Sequence, residues 1–235
     1  MSRIAVASVV GAPGVSTLVS AMAFTSTTAT LVVECAPDGG VLAVRWGIPR
    51  GITLADLAID AAPRDDMWER AQPWMGATRL LAGDPSPITM QRSPVARYVA
   101  DRLGTVEVPT LLDLGRLRPD DATTSLLGEV DRLWLLLEPT VEHVTNAATW
   151  KPLLGDITVE LLVVDRPASN GRYPVREIED VLGWLCIETI QRDRRAALAL
   201  RGVGAPRSYR LEHMPLVRQA GGLRDRLDTP QEVGV

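Results

Sequence analysis

The chain has 235 residues and a single lysine, Lys151, in "TWKPLLG"; every other basic residue is arginine. Cysteines number two and phenylalanines one, and there are two histidines. Each scarcity closes off a class of function. Cys35 and Cys186 lie inside apolar runs and read as small buried hydrophobes rather than a disulfide framework, and His143 and His213 are too distant in sequence to make a metal cluster with them. No apolar run reaches the roughly 20 residues of a membrane-spanning helix, and the opening "MSRIAVASVV" reads directly into a strand rather than a signal-peptide cleavage pattern. With 25 Lys+Arg against 29 Asp+Glu the net charge is −4, so no cationic excess points to a phosphodiester backbone. The expectation is a cytoplasmic protein with no strong nucleic-acid signal and no transmembrane segment.

What is present is apolar sequence, 46% of the chain, in runs that alternate with helix-like segments from end to end. That alternation predicts an α/β, doubly wound, mostly parallel seven-stranded sheet flanked by helices. Strands are expected at 4–10, 30–34, 78–82, 109–114, 132–138, 158–165 and 185–190. Helices are expected at 14–24, 53–61, 94–103, 122–130, 141–154, 175–182, 194–201 and 215–227. Turn chemistry separates them at "PDGG" (37–40), "GDPSP" (83–87) and "RPASNGRYP" (166–174). No internal repeat or long linker divides the chain, so residues 1–227 read as one domain and 228–235 as a flexible tail.

Between the first strand and the first helix stands "VVGAPGVSTLVSAMAF". Gly11 and Gly14 let backbone approach a phosphate closely, and a helix start presents unpaired N–H groups at a positive dipole end. The candidate nucleotide-binding segment is therefore Gly11, Ala12, Pro13, Gly14, Val15, Ser16 and Thr17. A phosphate loop of the form G-x-x-x-x-G-K-[ST] also supplies a lysine for the terminal phosphates and a hydroxyl for Mg2+. Aligned without a gap, Thr17 takes the lysine's place; shifted by one residue, Ser16 does and Thr17 keeps the metal-facing hydroxyl. Both registers lack the lysine. The plain structural alternative is a tight strand-to-helix turn with no ligand.

With that loop placed, the chain resembles the MinD/ParA group of SIMIBI-class P-loop ATPases, in particular a divergent actinobacterial lineage with a degenerate Walker A loop. "LVVECAPDGGVLAVRWGI" (31–48) is similar to the family's second strand and first switch, "TLLDLGRL" (110–117) to its Walker B strand, and "LLVVDRPASNGRYPVREIEDVLG" (161–183) to the strand and loop that hold the base. The resemblance implies ATP and Mg2+ as weakly held cofactors, or none. Thr17 and Asp113 would face the metal, and Asp165 and Arg166 the base. It sets Ala12 where the group has its signature lysine and Ala36 where it has a switch aspartate, so hydrolysis is expected to be weak or absent and no residue is assigned a catalytic role. Arg116, just past Asp113, is the nearest candidate to replace the lost positive charge. Relatives resembling TadZ and septum-site proteins imply a positioning or scaffolding factor, with a protein partner in pilus, secretion or division machinery and homodimerisation across the loop face. A slow ATP-dependent dimerisation switch is the alternative.

Other chemistries fit less well. A serine hydrolase centred on Ser16 would need glycine two residues on, where Leu18 stands. A Rossmann-type cofactor enzyme would need G-x-G-x-x-G, although Glu34 ends the second strand where a ribose-binding acid would sit. Among the tryptophans, Trp134 is expected in the core, and Trp68 and Trp74 either in a partner-docking patch or in semi-buried packing.

Overall fold

The computed structural model describes residues 1–11, 13–49, 51–59, 66–91, 93–119, 125–165, 173–201 and 208–227. In chain order the elements are β1 (Arg3–Ser8), α1 (Val15–Thr25), β2 (Thr30–Glu34), α2 (Leu42–Arg45), α3 (Leu54–Ile59), α4 (Met67–Arg70), β3 (Gln72–Pro73), β4 (Thr78–Leu81), α5 (Pro87–Met90) and α6 (Ser93–Leu103). They continue with β5 (Thr110–Arg116), β6 (Arg132–Leu137), α7 (Val141–Leu154), β7 (Thr158–Asp165), α8 (Val175–Leu182), β8 (Leu185–Gln191), α9 (Arg194–Ala199), α10 (Ser208–Glu212) and α11 (Pro215–Asp225).

All eight strands join one sheet in the order β3-β4-β2-β5-β1-β6-β7-β8. Every pairing is parallel except β3 with β4. Seven strands were expected; the eighth is β3, two residues whose proline is tolerated because it lies on the sheet edge. Side chains alternate between two buried faces, as the period of two requires. Ala5, Val33, Leu112 and Leu135 belong to one apolar cluster with α6, α7 and α8, and Ile4, Val32, Leu111 and Trp134 to the other with α1 and α11. Trp134 is fully buried, as expected, and its indole N–H donates to Glu160 Oε2 at 2.7 Å.

Four short helices, α2, α4, α5 and α10, were not foreseen. A turn or so of helix has too few residues for a 3.6-residue period to register, and local polar groups hold three of them. Asp66 caps α4, Ser86 caps α5, and the distant Glu34 serves α2. The helix expected at 122–130 lies partly outside the described residues; 125–127 are helical.

The closing helix α11 buries Leu216, Val217, Ala220 and Leu223, and a Cβ on Gly221 would sit 3.8 Å from Thr25 of α1. Its apolar face is thus spent on α1. No helix among the described residues is long and apolar enough to cross a membrane.

In this strand order the chain leaves β1 in both directions, toward β5 and β2 on one side and β6 to β8 on the other. A crevice therefore opens at the carboxyl ends of the central strands, where ligands of open α/β sheets bind.

Candidate functional site

Residues 9–11 after β1 and 13–14 before α1 border that crevice. Gly14, the residue preceding α1, has φ 114°, a left-handed conformation that side chains rarely adopt, and its carbonyl accepts the first helical hydrogen bond from Leu18 N at 2.8 Å. No side chain caps α1 and no acid lies in its first turn. Its leading N–H groups are therefore left for solvent or an anion. The Ser8 hydroxyl lies 3.5 Å from Gly11 O and 3.4 Å from Gly115 O, tying the loop to the end of β5. Ala12 is outside the described residues.

Asp113, on β5, is fully buried. Its Oδ1 accepts from Gly115 N at 3.0 Å, while Oδ2 has no hydrogen-bond partner. Burial pushes its carboxyl above the usual carboxylate range, and the Ser16 hydroxyl, the Gly115 N–H and the Arg45 charge pull the other way. Ser16 and Thr17 both line the smaller cavity, and Thr17 the larger one as well.

Glu34 is not exposed toward a ribose, as a Rossmann-type enzyme would need. Its Oε1 accepts from Val41 N at 2.6 Å and Leu42 N at 2.9 Å, and its Oε2 from Gly83 N at 3.1 Å. Burial first, and the Asp113 charge second, raise its pKa to about 7. The carboxyl staples the start of α2 and the loop after β4 to the end of β2, which removes the only acid offered for that reading.

Two cavities meet over α1. The smaller, about 200 Å3, is lined by Gly11, Gly14, Ser16, Arg45, Arg116 and Arg201 among others. The larger, about 540 Å3, runs over Thr17 and Leu18 to Val164, Gln191 and Arg194. Gly14, Thr17 and Arg201 border both. Asp165 ends β7, half-buried beside the larger cavity and in register with Gln191; Arg166 is outside the described residues. Ala36 and Asp38 line the smaller cavity, and Asp38 forms an ion pair with Arg118. Arg192, which lines the larger one, lies 3.9 Å from Glu138.

Arg116 does border the loop, as its sequence position suggested. Arg45 and Arg201 were missed, because an arginine in a one-turn helix or in a turn carries no signal that distinguishes it from a solvated surface charge. Lys151 takes no part: its Nζ donates to Val181 O at 3.1 Å and lies 5.8 Å from the Trp184 ring centroid. Cys35 adjoins the site, but burial and the Asp113 charge push its thiol up, leaving a neutral, unreactive side chain. Trp68 and Trp74 are half-buried: Arg79 lies over Trp68, and Trp74 meets Trp46 edge-on.

The sequence matches no protein-family model and no curated protein. The fold does have counterparts among solved structures. A ParA family ATPase from Chlorobium tepidum superposes with TM-score 0.78 at 18% identity, covering 95% of this chain and 98% of its own. The septum site-determining protein MinD from Pyrococcus horikoshii, solved with Mg-ADP, gives 0.77 at 16% identity over 97% and 96%. An ATP complex of McdA from Cyanothece gives 0.75 at 18% identity over 100% and 99%. The architecture is that of the MinD/ParA P-loop ATPases.

Proposed function

We propose that the chain is a positioning or scaffolding factor of the MinD/ParA type that holds a nucleoside triphosphate with Mg2+ and turns it over weakly or not at all. One observation carries the reading: the loop facing the smaller cavity runs Gly14-Val15-Ser16-Thr17, and the chain's only lysine lies elsewhere, on α7. In this reading Ser16 supplies the Mg2+-facing hydroxyl opposite Asp113, and Val15 takes the place of the loop lysine. The unpartnered Oδ2 of Asp113 fits a hydrated Mg2+, a hard cation that takes oxygen ligands. When bound, that ion would neutralise part of the phosphate charge. What the chain lacks is the loop cation that would match the charge developing on the transferred phosphoryl group. That MinD was solved with Mg-ADP and McdA with ATP supports the nucleotide half of the proposal.

The larger cavity then takes the base and ribose, with Asp165 and Arg166 at the base and residues 11–17 around the phosphates. The degenerate loop and arginine-for-lysine usage favour the divergent actinobacterial, TadZ-like branch. Its roles imply cytoplasmic residence, homodimerisation across the loop face, and a partner in pilus, secretion or division machinery. Titration with a fluorescent ATP analogue and Mg2+ should saturate, while phosphate release should stay at the level of Asp113→Ala. Release well above that variant would overturn the pseudo-ATPase reading.

A slow ATP-dependent dimerisation switch is the second reading, favoured by the retained Ser16 and Asp113 pair. It predicts phosphate release that rises with protein concentration and collapses in Ser16→Ala or Asp113→Ala.

A further inference from the structure

Arg45, Arg116 and Arg201 reach the smaller cavity from three separate places: the last residue of α2, the last residue of β5 and the turn after α9. Of the other arginines at the crevice, Arg118 pairs with Asp38 and Arg192 lies near Glu138. These three make no ion pair among the described residues. Arg45 is half-buried, and its guanidinium is disfavoured first by loss of water and then by the like charge of Arg201; the buried Asp113 and Glu34 offset this in part. Two cations set close enough to repel each other across a cavity are an arrangement that an anion completes. The unpartnered Oδ2 of the fully buried Asp113 lies beneath the same floor, beside Ser16. That orphaned acid and the arginines call for the two halves of one ligand, a polyphosphate and its cation.

Arg201 borders both cavities and Arg45 only the smaller. A ligand reaching from the larger cavity into the smaller passes Arg201 before Arg45. We propose that Arg45 and Arg201 clamp the phosphates of the bound nucleotide from outside the loop, in place of the lysine that the loop lacks. This rests on the reading that the site takes a nucleotide. A guanidinium can bind two phosphate oxygens in parallel, which a lysine point charge cannot. Because the two arginines belong to α2 and to the turn after α9, the ligand draws those elements onto α1, and their mutual repulsion loosens the rim when it leaves.

The test is an equilibrium titration of the full chain with a fluorescent ATP analogue and Mg2+, run on the unaltered protein, Arg45→Ala, Arg201→Ala, the double variant, Arg45→Lys and Arg97→Ala. Each alanine at the clamp should raise Kd about ten- to a hundredfold, the size of a charge-assisted hydrogen bond. Arg45→Lys should lose less, and Arg97→Ala, which removes the same charge from the exposed face of α6, should change nothing. Inorganic pyrophosphate should compete with the analogue in the unaltered chain and not in the double variant. If the clamp variants bind as tightly as the unaltered chain, the clamp is wrong and the nucleotide reading stands. If the unaltered chain shows no saturable binding, both fall. Arg201 is exposed, so its variant decides the matter even where Arg45→Ala loses its thermal unfolding transition.

Discussion

Two buried acids define the site, and their chemistry gives the stability of the protein an uncommon pH dependence. Glu34 titrates near 7 in the folded chain against 4.5 when free. Between those values the folded state holds the proton more tightly than the unfolded state, so the contribution to stability is full below the lower value and is lost as pH rises through 7. A shift of this size corresponds to about 3 kcal/mol, and Asp113, raised by the same burial, acts in the same direction. The urea midpoint should therefore fall between pH 5 and pH 8, and Glu34→Gln should flatten that fall; a slope unchanged in the variant would remove Glu34 as the cause. Because Mg2+ favours ionised Asp113, whose pKa burial raises, the Mg2+-dependent part of nucleotide binding should strengthen as pH rises and be absent in Asp113→Asn, measured by isothermal titration. Asp113 was legible in the sequence because an acid inside an apolar strand demands a reason. Ser16 was named among the loop residues, but its relation to Asp113 was not legible, since the glycine spacing admits several registers. Arg45 and Arg201 were invisible because their convergence is a property of the fold.

At the level of elements, the segment holding α2 is pinned at both ends. Glu34 holds the start of α2, and Trp46, just past its end, meets Trp74 with ring centroids 6.2 Å apart and planes at 80°. Between β2 and α2 the backbone of Gly40 lies so near the loop after β4 that a Cβ there would fall 2.3 Å from Gly83 O. The "PDGG" turn was read correctly as a turn, but its reason is this close approach and not the turn alone. Gly40→Ala should cost about 1–3 kcal/mol or more, the range of overpacking in a rigid setting, and should weaken nucleotide binding through Arg45; a variant as stable as the parent would show that the loop after β4 gives way. The pairing of α11 with α1 makes a parallel case. Ala220 is completely buried there, so Ala220→Leu should lower stability by about 1–3 kcal/mol in urea unfolding while leaving the cavities intact. The long elements were read within a few residues because their periodicity is sustained, whereas α4 and α5 rest on one local cap each and α2 on the distant Glu34.

On the scale of the molecule, 14–18% identity over nearly the whole chain with a common sheet shows how little of this architecture depends on particular residues. Alternating apolar strands such as β1 and β6 satisfy both buried faces with many side-chain combinations, so a mostly parallel sheet buried on both faces was open to reading from pattern alone, while its strand order was not. The edge strand β3 was not, since two residues cannot declare a period. What sequence pattern could not give is the charge distribution over the crevice, where one missing lysine is set against three arginines from remote segments. The most direct measurement is a single-turnover assay with the chain in excess over γ-labelled ATP and Mg2+. The expected result is ATP retained intact on the protein for hours, with labelled phosphate released no faster than from Asp113→Ala. Stoichiometric release of labelled phosphate within minutes, or failure of the chain to retain ATP at all, would contradict it.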